Sequence, residues 1–352
     1  MRAILLSDGK PGHYNQSLGV IERMPECEYH RIDVKFRSKQ RDNLLRVLMR
    51  LFGGLRLPRR LIKACLQMAL QRDTLDEIYA VAPDFILSTG SSVAASNLLI
   101  GQLFDAKTVT CRRPSPVGIH HFDLAVLPRM YWSPRRNSAN VCKTLGVPNR
   151  VRPEKLETQR NQLQTDLDLS DQKRIGVLIG GEDRYDTITE TTAARLIEVL
   201  QQYATKWDNQ LLLTTSRRSP PSVENLISKQ LSNTQYCPIL VLAHGETSLT
   251  DPVGTIFALS DVIIVTEDSF SMVCEAASSG KRVIILEVDH KTHRRPKRHK
   301  VYSEIIHHAS VIRSGVENLE TSLETALADE SPVTPLQDTQ VAATAVRQLL
   351  KE

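Results

Sequence analysis

The stretch that decides the fold is DVIIVTEDSFSMVCEAASSGK, residues 261–281. Its apolar run over 262–265 predicts a strand that is buried on both faces, as in a parallel sheet. A hydroxyl-rich turn follows, and the small residues from Ser271 onward predict a helix that Gly280 closes as a C-terminal cap. A buried strand, a turn and a helix in this order form the repeating unit of α/β proteins.

The same alternation of strands and helices extends in both directions along the chain. We predict buried strands at 3–7, 84–88, 108–111 and 124–127 in the first half, and at 175–179, 211–214, 239–242, 262–265 and 283–286 in the second. Because 352 residues exceed one ordinary hydrophobic core, the length favours two domains. The predicted fold is α/β, with two Rossmann-type parallel-sheet domains that face a central cleft.

The domain limits follow from a polar stretch near the middle of the chain. Residues 148–172 are rich in Gln, Asp and Arg and include two prolines, so we predict a linker there. The N-terminal domain is then 1–147, and the C-terminal domain is 173–335. The last segment, 336–352, places its apolar residues at helical spacing and predicts a closing helix.

Composition argues against several classes of protein. The hydrophobic fraction of 41% and the charged fraction of 24% are near globular averages, so the chain is neither disordered nor fibrous. No window approaches the roughly 18 apolar residues of a membrane span, and the chain begins directly as a strand, so we expect neither a span nor a signal peptide. Six scattered cysteines without C-x-x-C spacing favour a reduced compartment and no metal site.

The first strand-to-helix turn, SDGKPGHYNQ over residues 7–16, crowds polar side chains at the carboxyl end of a strand, where α/β sheets bind ligands. Its glycines allow the backbone to approach a ligand closely. The turn matches neither a Walker loop nor a dinucleotide fingerprint. Two interpretations stay open: a ligand-binding loop, and a Gly-Pro turn with an Asn helix cap.

Two further turns follow strands of the second half. In IGGEDRY, residues 179–185, the glycine pair would expose N–H groups to an oxygen-rich ligand, and a plain tight turn is the alternative. In TTSRRSPP, residues 214–221, two guanidiniums precede the prolines that start a helix, which suits phosphate oxygens. A solvated arginine pair is the alternative there.

The fourth turn lies within the stretch quoted first. We predict that the amides and hydroxyls of Ser269 and Ser271, at the start of a helix, bind a pyrophosphate jointly with the 216–218 turn. One helical turn later, the Glu275 carboxylate would accept hydrogen bonds from a ribose diol. Alternatively, Glu275 only stabilises the first turn of its own helix.

Taken in order, the four turns resemble the mitochondrial fission Elm family of GT-B glycosyltransferase-like proteins. The resemblance covers nearly the whole chain and rests on DGKPGHxNQ (8–16), LIGG (178–181), TTSRR (214–218) and VTxDSxSMxxEA (265–276). Residues 261–296 are also similar to the donor-nucleotide region of GT-B transferases such as the N-acetylglucosaminyltransferase that makes lipid II. The resemblance implies a GT-B-like fold.

The resemblance also implies roles for individual residues. The donor would be bound by Gly180, Gly181, Ser216, Arg217, Arg218, Asp268, Ser269, Ser271, Met272 and Glu275. The N-terminal loop would face the acceptor through Lys10, Asn15 and Gln16, and its catalytic residues would be Asp8 and His13, with His13 as general base.

The chain departs from the family pattern at two places. PRMY at 128–131 stands where a His-Asp pair is expected, and DPV at 251–253 stands where Asn-Pro-Tyr is usual. These departures affect the acceptor side and the pocket for the nucleotide base.

The expected function is metal-independent transfer of a sugar from a nucleotide-diphosphate sugar to a hydroxyl acceptor, such as a cell-surface glycolipid. The nucleotide sugar is a substrate here, and no cofactor is expected. Pre-placed positive groups would offset the charge that develops on the departing diphosphate. Two alternatives stay open: a nucleotide-sugar epimerase or hydrolase on the same scaffold, and a non-catalytic adaptor of mitochondrial or membrane division.

Two basic stretches, 35–72 and 291–300, carry most of the excess behind the net charge of +5. Within the first, 43–55 places leucines on one helical face, which suits an anionic bilayer and a lipid-linked acceptor; a core-facing helix is the alternative. The second lacks interleaved aromatics, so a loop that closes over phosphates is favoured over nucleic-acid binding. We expect a cytoplasmic protein, peripheral to the inner membrane.

Overall fold

The structure is a computed structural model that describes residues 1–133, 138–166, 172–245, 247, 249–293 and 296–351. The chain forms two compact units, one of Met1–Arg150 with Gln337–Glu352 and one of Val151–Leu336. Each unit is built around a six-stranded sheet. In the described ranges, no helix is both long enough and apolar enough to cross a membrane.

The first unit contains six strands and six helices among its described residues. The strands are β1 (Arg2–Ser7), β2 (Glu28–Asp33), β3 (Phe85–Ser88), β4 (Lys107–Thr110), β5 (Leu124–Pro128) and β6 (Val141–Thr144). The helices are α1 (Pro11–Glu22), α2 (Lys39–Phe52), α3 (Arg59–Ala69), α4 (Arg72–Tyr79), α5 (Ala94–Phe104) and, near the end of the chain, α13 (Asp338–Leu349).

The six strands are all parallel and lie in the order β2-β1-β3-β4-β5-β6. Alternate residues of β1 enter different core layers: Ile4 and Leu6 pack with α2, α3 and α5, whereas Ala3 and Leu5 pack with α1 and α13. The strand order reverses between β1 and β3. Such a switch point is where open α/β sheets bind ligands, beyond the carboxyl ends of the strands.

The second unit has the strand order of a dinucleotide-binding Rossmann sheet. Its strands are β7 (Arg174–Ile179), β8 (Asp186–Thr187), β9 (Gln210–Thr215), β10 (Ile239–Val241), β11 (Val262–Thr266), β12 (Arg282–Leu286), β13 (Asp289–His290) and β14 (Val311–Ser314). Its helices are α6 (Pro153–Asp166), α7 (Glu190–Trp207), α8 (Pro221–Leu231), α9 (Pro252–Leu259), α10 (Phe270–Ala277), α11 (Arg298–His308) and α12 (Leu319–Ala328).

The parallel sheet of this unit has the order β10-β9-β7-β11-β12-β14, and its switch point lies between β7 and β11. Strands β8 and β13 form a separate antiparallel pair. The buried strand quoted first is β11, whose five residues are all buried. The prediction of two Rossmann-type parallel sheets is confirmed.

Every strand predicted from an apolar run is present, but several edge strands were missed. β2 is one of them, because at the sheet edge it exposes every side chain except Ile32 and therefore has no apolar run. Helix α6 lies inside the stretch expected to be a linker and packs against α9, and α13 packs against α1.

Helix α2 has both a core-facing side and an exposed apolar side, the two features that the alternatives for its sequence required. Leu45 and Met49 are buried in the core of the first unit. Leu44, Leu51 and Phe52 are exposed, with Leu51 the most exposed at 65%. The helix therefore contributes one narrow stripe to the core and leaves a second apolar face uncovered.

Candidate functional site

At the switch point of the second unit, the carboxyl end of β7 meets that of β11. Gly180 donates its N–H to Thr266 Oγ1 at 2.7 Å, and Gly181 donates its N–H to Asp268 Oδ2 at 2.8 Å. The sequence pattern left two interpretations open for these N–H groups, presentation to an oxygen-rich ligand and a plain tight turn. In this structure they hold the second predicted turn against the fourth.

Both glycines are required by the close approach of neighbouring groups. A Cβ at Gly180 would overlap the Asp268 carboxylate, and a Cβ at Gly181 would overlap the backbone carbonyl of Arg218. Glu182 donates its N–H to that same carbonyl at 2.9 Å. The second, third and fourth predicted turns therefore converge on one point of the sheet edge.

The two arginines of the third turn have different surroundings. Arg218 Nη2 lies 3.2 Å from Asp268 Oδ2, so this guanidinium partly neutralises a buried carboxylate. The N–H of Arg218 also donates to Ser216 Oγ at 3.2 Å, which fixes the turn. Arg217 is exposed, and its guanidinium has no partner within the part of the chain that the structure describes. Arg217 is the cation of this turn that is available to an anion.

The N-terminus of α10 is open. Ser269 occupies the N-cap position, but its side chain makes no capping hydrogen bond. The N–H groups of Phe270, Ser271 and Met272 have no intrahelical acceptor, and among the described residues they find no other. Buried Asp268, just before the helix, has its Oδ1 atom unpaired within the same ranges. A helix N-terminus with three free donors favours an anion.

Glu275 lies one turn further along α10. Burial raises the pKa of its carboxyl to about 7, and the negative charge of Asp251 adds to the effect. The carboxylate has no hydrogen-bond or ion-pair partner among residues whose placement is described. Asp251, within one of the two departures from the family pattern, caps α9 by accepting the N–H of Gly254 at 3.1 Å. Glu275 is therefore an acceptor without a donor.

Sequence reasoning missed Glu224, which organises a neighbouring turn. It is buried in the first turn of α8 and accepts hydrogen bonds from the Thr215 hydroxyl and, at 3.1 Å, from the N–H of Ala243. His244 Nδ1 lies 2.8 Å from its other oxygen. A glutamate in the first turn of a helix usually only complements the helix dipole, so the sequence pattern carries no sign of this role.

A buried ion network beyond β11 was also missed. Glu267 and Asp186 are both fully buried; Glu267 pairs with Arg313 at 2.5 Å, and Asp186 pairs with Arg298. His290 Nδ1 lies 2.7 Å from Asp186 Oδ1. The network ties β8, β11, β13, β14 and α11 together.

Part of this network has the spacing of a metal site. Asp186, His290 and His299 offer three ligand atoms within 4.8 Å of one another. The Arg298 guanidinium is hydrogen-bonded to Asp186, and His290 Nδ1 lies 2.7 Å from the other oxygen of the same carboxylate. The cluster is thus an ion-pair network in its present state.

The basic stretch 291–300 contributes to the same region. Lys291 pairs with Glu182, and Arg298 pairs with Asp183 at 2.7 Å. Residues 294–295 of this stretch lie outside the described residues. At least two of its cations are therefore engaged by carboxylates of the same unit.

At the switch point of the first unit, the turn after β1 and the first turn of α1 form a second site. His13 Nδ1 lies 2.9 Å from Asp8 Oδ2, and the Ser92 hydroxyl donates to the same oxygen at 3.0 Å. Gly90, with a φ of +112°, passes so close that a Cβ there would overlap the His13 ring. Since Gly90 and Ser92 follow β3, the turns after β1 and β3 are joined.

Charge and tautomer at this site follow from its hydrogen bonds. Burial would raise the pKa of Asp8, but the hydrogen bond from His13, the positive charge of His13 at acid pH and the hydrogen bond from Ser92 outweigh burial and lower that pKa to about 2. Arg112 Nη1 lies 2.9 Å from His13 Nε2. A guanidinium can only donate, so Nε2 is an acceptor and the ring proton is on Nδ1, where it is donated to Asp8.

The predicted acceptor-side residues have unequal exposure. Lys10 is exposed, with its Nζ 3.6 Å from Asp8 Oδ2, and Asn15 is half-buried. Gln16 is buried, with its Oε1 unpaired among the described atoms. Tyr131, from the other departure from the family pattern, accepts a hydrogen bond from Arg112 Nε at 3.1 Å. Tyr131, which belongs to that departure, is therefore connected to His13 through Arg112.

Comparisons with known proteins agree on family and fold. The family model described as mitochondrial fission ELM1 matches residues 11–350. An uncharacterized protein of Rickettsia prowazekii (strain Madrid E), RP120, is 27% identical over 175 residues, which are 50% of this chain and 46% of that protein. The match thus spans less than half of the relative's length.

Solved structures of similar fold include two UDP-GlcNAc 2-epimerases, each 15% identical with complete coverage of both chains. The one from Neisseria meningitidis, bound to UDP-GlcNAc, has a TM-score of 0.56, and the one from Methanocaldococcus jannaschii has 0.58. The ADP-heptose lipopolysaccharide heptosyltransferase II of E. coli, also 15% identical, covers 100% of this chain and 99% of its own, with a TM-score of 0.50. The chain has a GT-B-like fold.

Proposed function

This chain belongs to the mitochondrial fission ELM1 family, and we propose that it transfers a sugar from a nucleotide-diphosphate sugar to a hydroxyl acceptor without a metal ion. One observation supports the proposal: the turn that carries the unpaired Arg217 packs, through Arg218 and Asp268, against the turn that precedes the open N-terminus of α10, the helix that carries Glu275. Free helix N–H groups and a guanidinium both favour phosphate oxygens. In the proposal, Gly180, Gly181 and Arg218 support the donor site by holding its turns together.

Glu275 supports the nucleotide part of the donor. A ribose has two neighbouring hydroxyls that donate hydrogen bonds, and a carboxylate can accept both. With a pKa of about 7, this carboxyl is only partly ionised at neutral pH, and hydroxyl donors would favour the ionised form. A UDP-sugar is the first donor class to test, because a structure of similar fold holds UDP-GlcNAc.

The first unit supplies the base for the proposed reaction. The acceptor hydroxyl oxygen forms a bond to the anomeric carbon while the bond from that carbon to the diphosphate oxygen breaks. The hydroxyl proton moves to His13 Nε2, and Asp8 stabilises the imidazolium that results. The electron pair leaves with the nucleoside diphosphate, whose charge is offset by Arg217 and the α10 amides. Lys10, Asn15 and Gln16 are the proposed acceptor contacts.

A thermal-shift panel of nucleoside diphosphates and their sugars tests the donor site. We expect at least one of them to raise the melting temperature, because a ligand at 100 times its Kd adds about 2.7 kcal/mol to the stability of the folded state. The shift should disappear in a variant with Arg217→Gln and Glu275→Gln, and persist in Arg195→Gln, which changes an exposed arginine of α7. A melting temperature that no member of the panel moves would contradict the proposal.

A nucleotide-sugar epimerase or hydrolase is the second candidate, since two structures of similar fold are epimerases. Analysis of the donor after incubation without acceptor separates the two activities. If the sugar is altered or released in the absence of acceptor, the epimerase or hydrolase is favoured. If the donor stays intact until acceptor is added and is consumed only then, the transferase is favoured. A non-catalytic division adaptor would retain its biological role in the Arg217 and Glu275 variant.

The first unit also has a surface that suits a membrane partner. Six large apolar side chains are exposed on α2, α3 and the segment between them: Leu44, Val47, Leu51, Phe52, Leu55 and Leu61. Exposed Lys39, Arg50, Arg60 and Lys63 lie on the same two helices. We propose that this α2–α3 face lies on an anionic lipid surface, where each nearby cation contributes about 1 kcal/mol. If this face binds lipid, the protein would be located peripherally at the inner membrane, where a lipid-linked acceptor would be accessible to it.

A further inference from the structure

One cation next to His13 has no part in the proposed reaction. Arg112 follows β4 and is half-buried, with Nη1 bonded to His13 and Nε bonded to Tyr131. Within the described ranges no carboxylate pairs with it. Since a guanidinium stays protonated, Arg112 is a positive charge without a counterion, hydrogen-bonded to a neutral ring.

The surrounding charges do not neutralise it. Asp8 is the carboxylate nearest to the His13 ring, and its Oδ2 atom is already shared by His13, Ser92 and Lys10. Lys10 adds a second positive charge, so the site has two cations and one carboxylate. Burying charge without a partner is costly, which favours an anion that completes the set.

The same hydrogen bond also blocks the base. The lone pair of His13 Nε2 is the one that a general base would use, and in this structure it accepts from Arg112. An acceptor hydroxyl can reach this lone pair only after Arg112 has turned away. A ligand that attracts the guanidinium more strongly than the imidazole does would cause that change.

We propose that Arg112, with Lys10, binds a phosphate group of the acceptor, and that this binding releases His13 Nε2 for the acceptor hydroxyl. The inference rests on the proposed function and names its acceptor class, a hydroxyl compound that carries a phosphate. A guanidinium binds phosphate through two parallel charge-assisted hydrogen bonds, which are stronger than its single bond to a neutral ring. Binding of the phosphate and release of His13 Nε2 are then one event. Without the acceptor, His13 stays hydrogen-bonded to Arg112 and cannot activate a water molecule for hydrolysis of the donor.

NMR of the protein labelled at the histidine ring carbon Cε1 tests the inference, with His13→Gln used to assign the His13 signal. The probes are glycerol 1-phosphate in solution and vesicles of phosphatidylcholine that contain phosphatidic acid. We expect a saturable shift of the His13 signal. In Arg112→Gln the apparent affinity should fall about tenfold or more, as expected for loss of a charged hydrogen-bond donor.

Two further variants keep the test specific. Arg113→Gln removes the neighbouring exposed arginine and should leave the shift intact. Arg112→Lys keeps the charge but loses the forked geometry, so it should give an intermediate affinity and report on the site even if Arg112→Gln folds poorly. A response to both probes, or to the vesicles alone, supports a phosphate subsite, and a response to the vesicles alone assigns it to a lipid phosphate.

A His13 signal that neither probe moves, or that moves equally in wild type and Arg112→Gln, would overturn the inference. The donor panel described above is measured separately and involves residues of the other unit. A nucleotide shift without a phosphate response therefore refutes the subsite and leaves the proposed function standing. A phosphate response without a nucleotide shift refutes the donor site and leaves the phosphate subsite standing.

Discussion

The carboxylate of Asp8 and the imidazole of His13, 2.9 Å apart between Oδ2 and Nδ1, form the ionised acid and neutral base pair of the first unit. The two residues lie five positions apart, Asp8 in the turn after β1 and His13 in the first turn of α1, and this local segment alone does not hold them together. Ser92 binds the carboxylate from the turn after β3, and Arg112 binds the ring from beyond β4. The pair is therefore part of the sheet edge and should contribute to the stability of the unit.

We predict that Asp8→Asn destabilises the protein at pH 7 by about 2 kcal/mol. The pKa of Asp8 falls from 3.8 to about 2 on folding, and one unit corresponds to about 1.36 kcal/mol. A lowered carboxyl pKa stabilises the fold above pH 3.8, and this contribution is lost as the pH falls through about 2. Urea denaturation of wild type and variant between pH 7 and pH 2 should show two curves that converge at the acid end.

The control for Asp8 is Asp105→Asn. Asp105 pairs with Arg56 at 2.9 Å, but both side chains are more than four-fifths exposed, so solvent screens the pair. Its removal should leave the unfolding midpoint nearly unchanged at every pH. Equal losses in the two variants would mean that burial of the Asp8 pair has no energetic effect.

Glu275→Gln should raise stability while it weakens nucleotide binding. The pKa of Glu275 rises from 4.5 to about 7 on folding, so the folded state holds the proton more tightly and the carboxyl costs stability as the pH rises from 4.5 to 7. The neutral amide avoids this cost, and at pH 8 the variant should gain roughly 3 kcal/mol. Urea denaturation at pH 8 and at pH 4.5 measures the gain, which should vanish at the lower pH.

The same carboxyl predicts the pH dependence of ligand binding. If ribose hydroxyls donate to ionised Glu275, the Kd for the nucleotide should fall as the pH rises through 7 in wild type and stay level in Glu275→Gln. Calorimetric titrations at pH 6 and pH 8 compare the two proteins. A variant that is stabilised and binds the nucleotide as tightly as wild type does at pH 8 would show that Glu275 does not contact the ribose.

Gly181→Ala is expected to destabilise the second unit by about 1 to 3 kcal/mol or more, because its Cβ would overlap the backbone of Arg218 and backbone atoms cannot turn aside. Gly12→Ala is the matched control, since a Cβ there meets nothing within 4 Å and lies in the first turn of α1. Thermal unfolding of both variants measures the difference. Similar melting temperatures would mean that the second and third turns do not pack as closely as described.

The sequence predicted the central strands and the switch-point turns because both have local patterns. β7 and β11 are buried on both faces and therefore read as unbroken apolar runs. The edge strands β2 and β6 have exposed faces with polar residues, so they contain no apolar run from which a strand could be predicted. Strand β14 was hidden in the same way, with two of its four residues partly exposed.

The parts of the two sites that escaped the sequence depend on contacts distant along the chain. Arg112 is 99 residues from His13, and Arg298 is 112 residues from Asp186. No spacing rule connects such pairs, because their members meet only when the strands and helices that carry them pack together in the folded unit. The glycine pair at 180–181 shows a subtler limit. Its pattern correctly marked a special turn, but the cause is close packing and not the presentation of free amides.

The α2–α3 face gives a prediction about membranes. Leu51→Ser combined with Phe52→Ser should weaken binding to vesicles that contain phosphatidylglycerol, because each exposed apolar side chain loses about 1 kcal/mol or more of transfer free energy. Stability in solution should hardly change. Val341→Ser, at an exposed apolar position of α13, is the control and should bind as wild type does. Vesicle flotation at low and high salt measures binding, and equal flotation of all three proteins would argue for a different partner.

The last prediction concerns the buried network beyond β11. Glu267→Gln removes the fully buried carboxylate that pairs with Arg313 and leaves that guanidinium with the half-exposed Glu287, 3.2 Å from its Nε. Removing one partner of a buried pair typically costs about 3 to 5 kcal/mol, and we expect a loss near the lower end of that range because Glu287 still compensates part of the charge. Replacing both, in Glu267→Gln with Arg313→Gln, should cost less than the sum of the single changes, and urea denaturation of the four proteins gives the coupling energy. Additive losses would indicate that the two side chains act independently and that the network owes its position to packing alone.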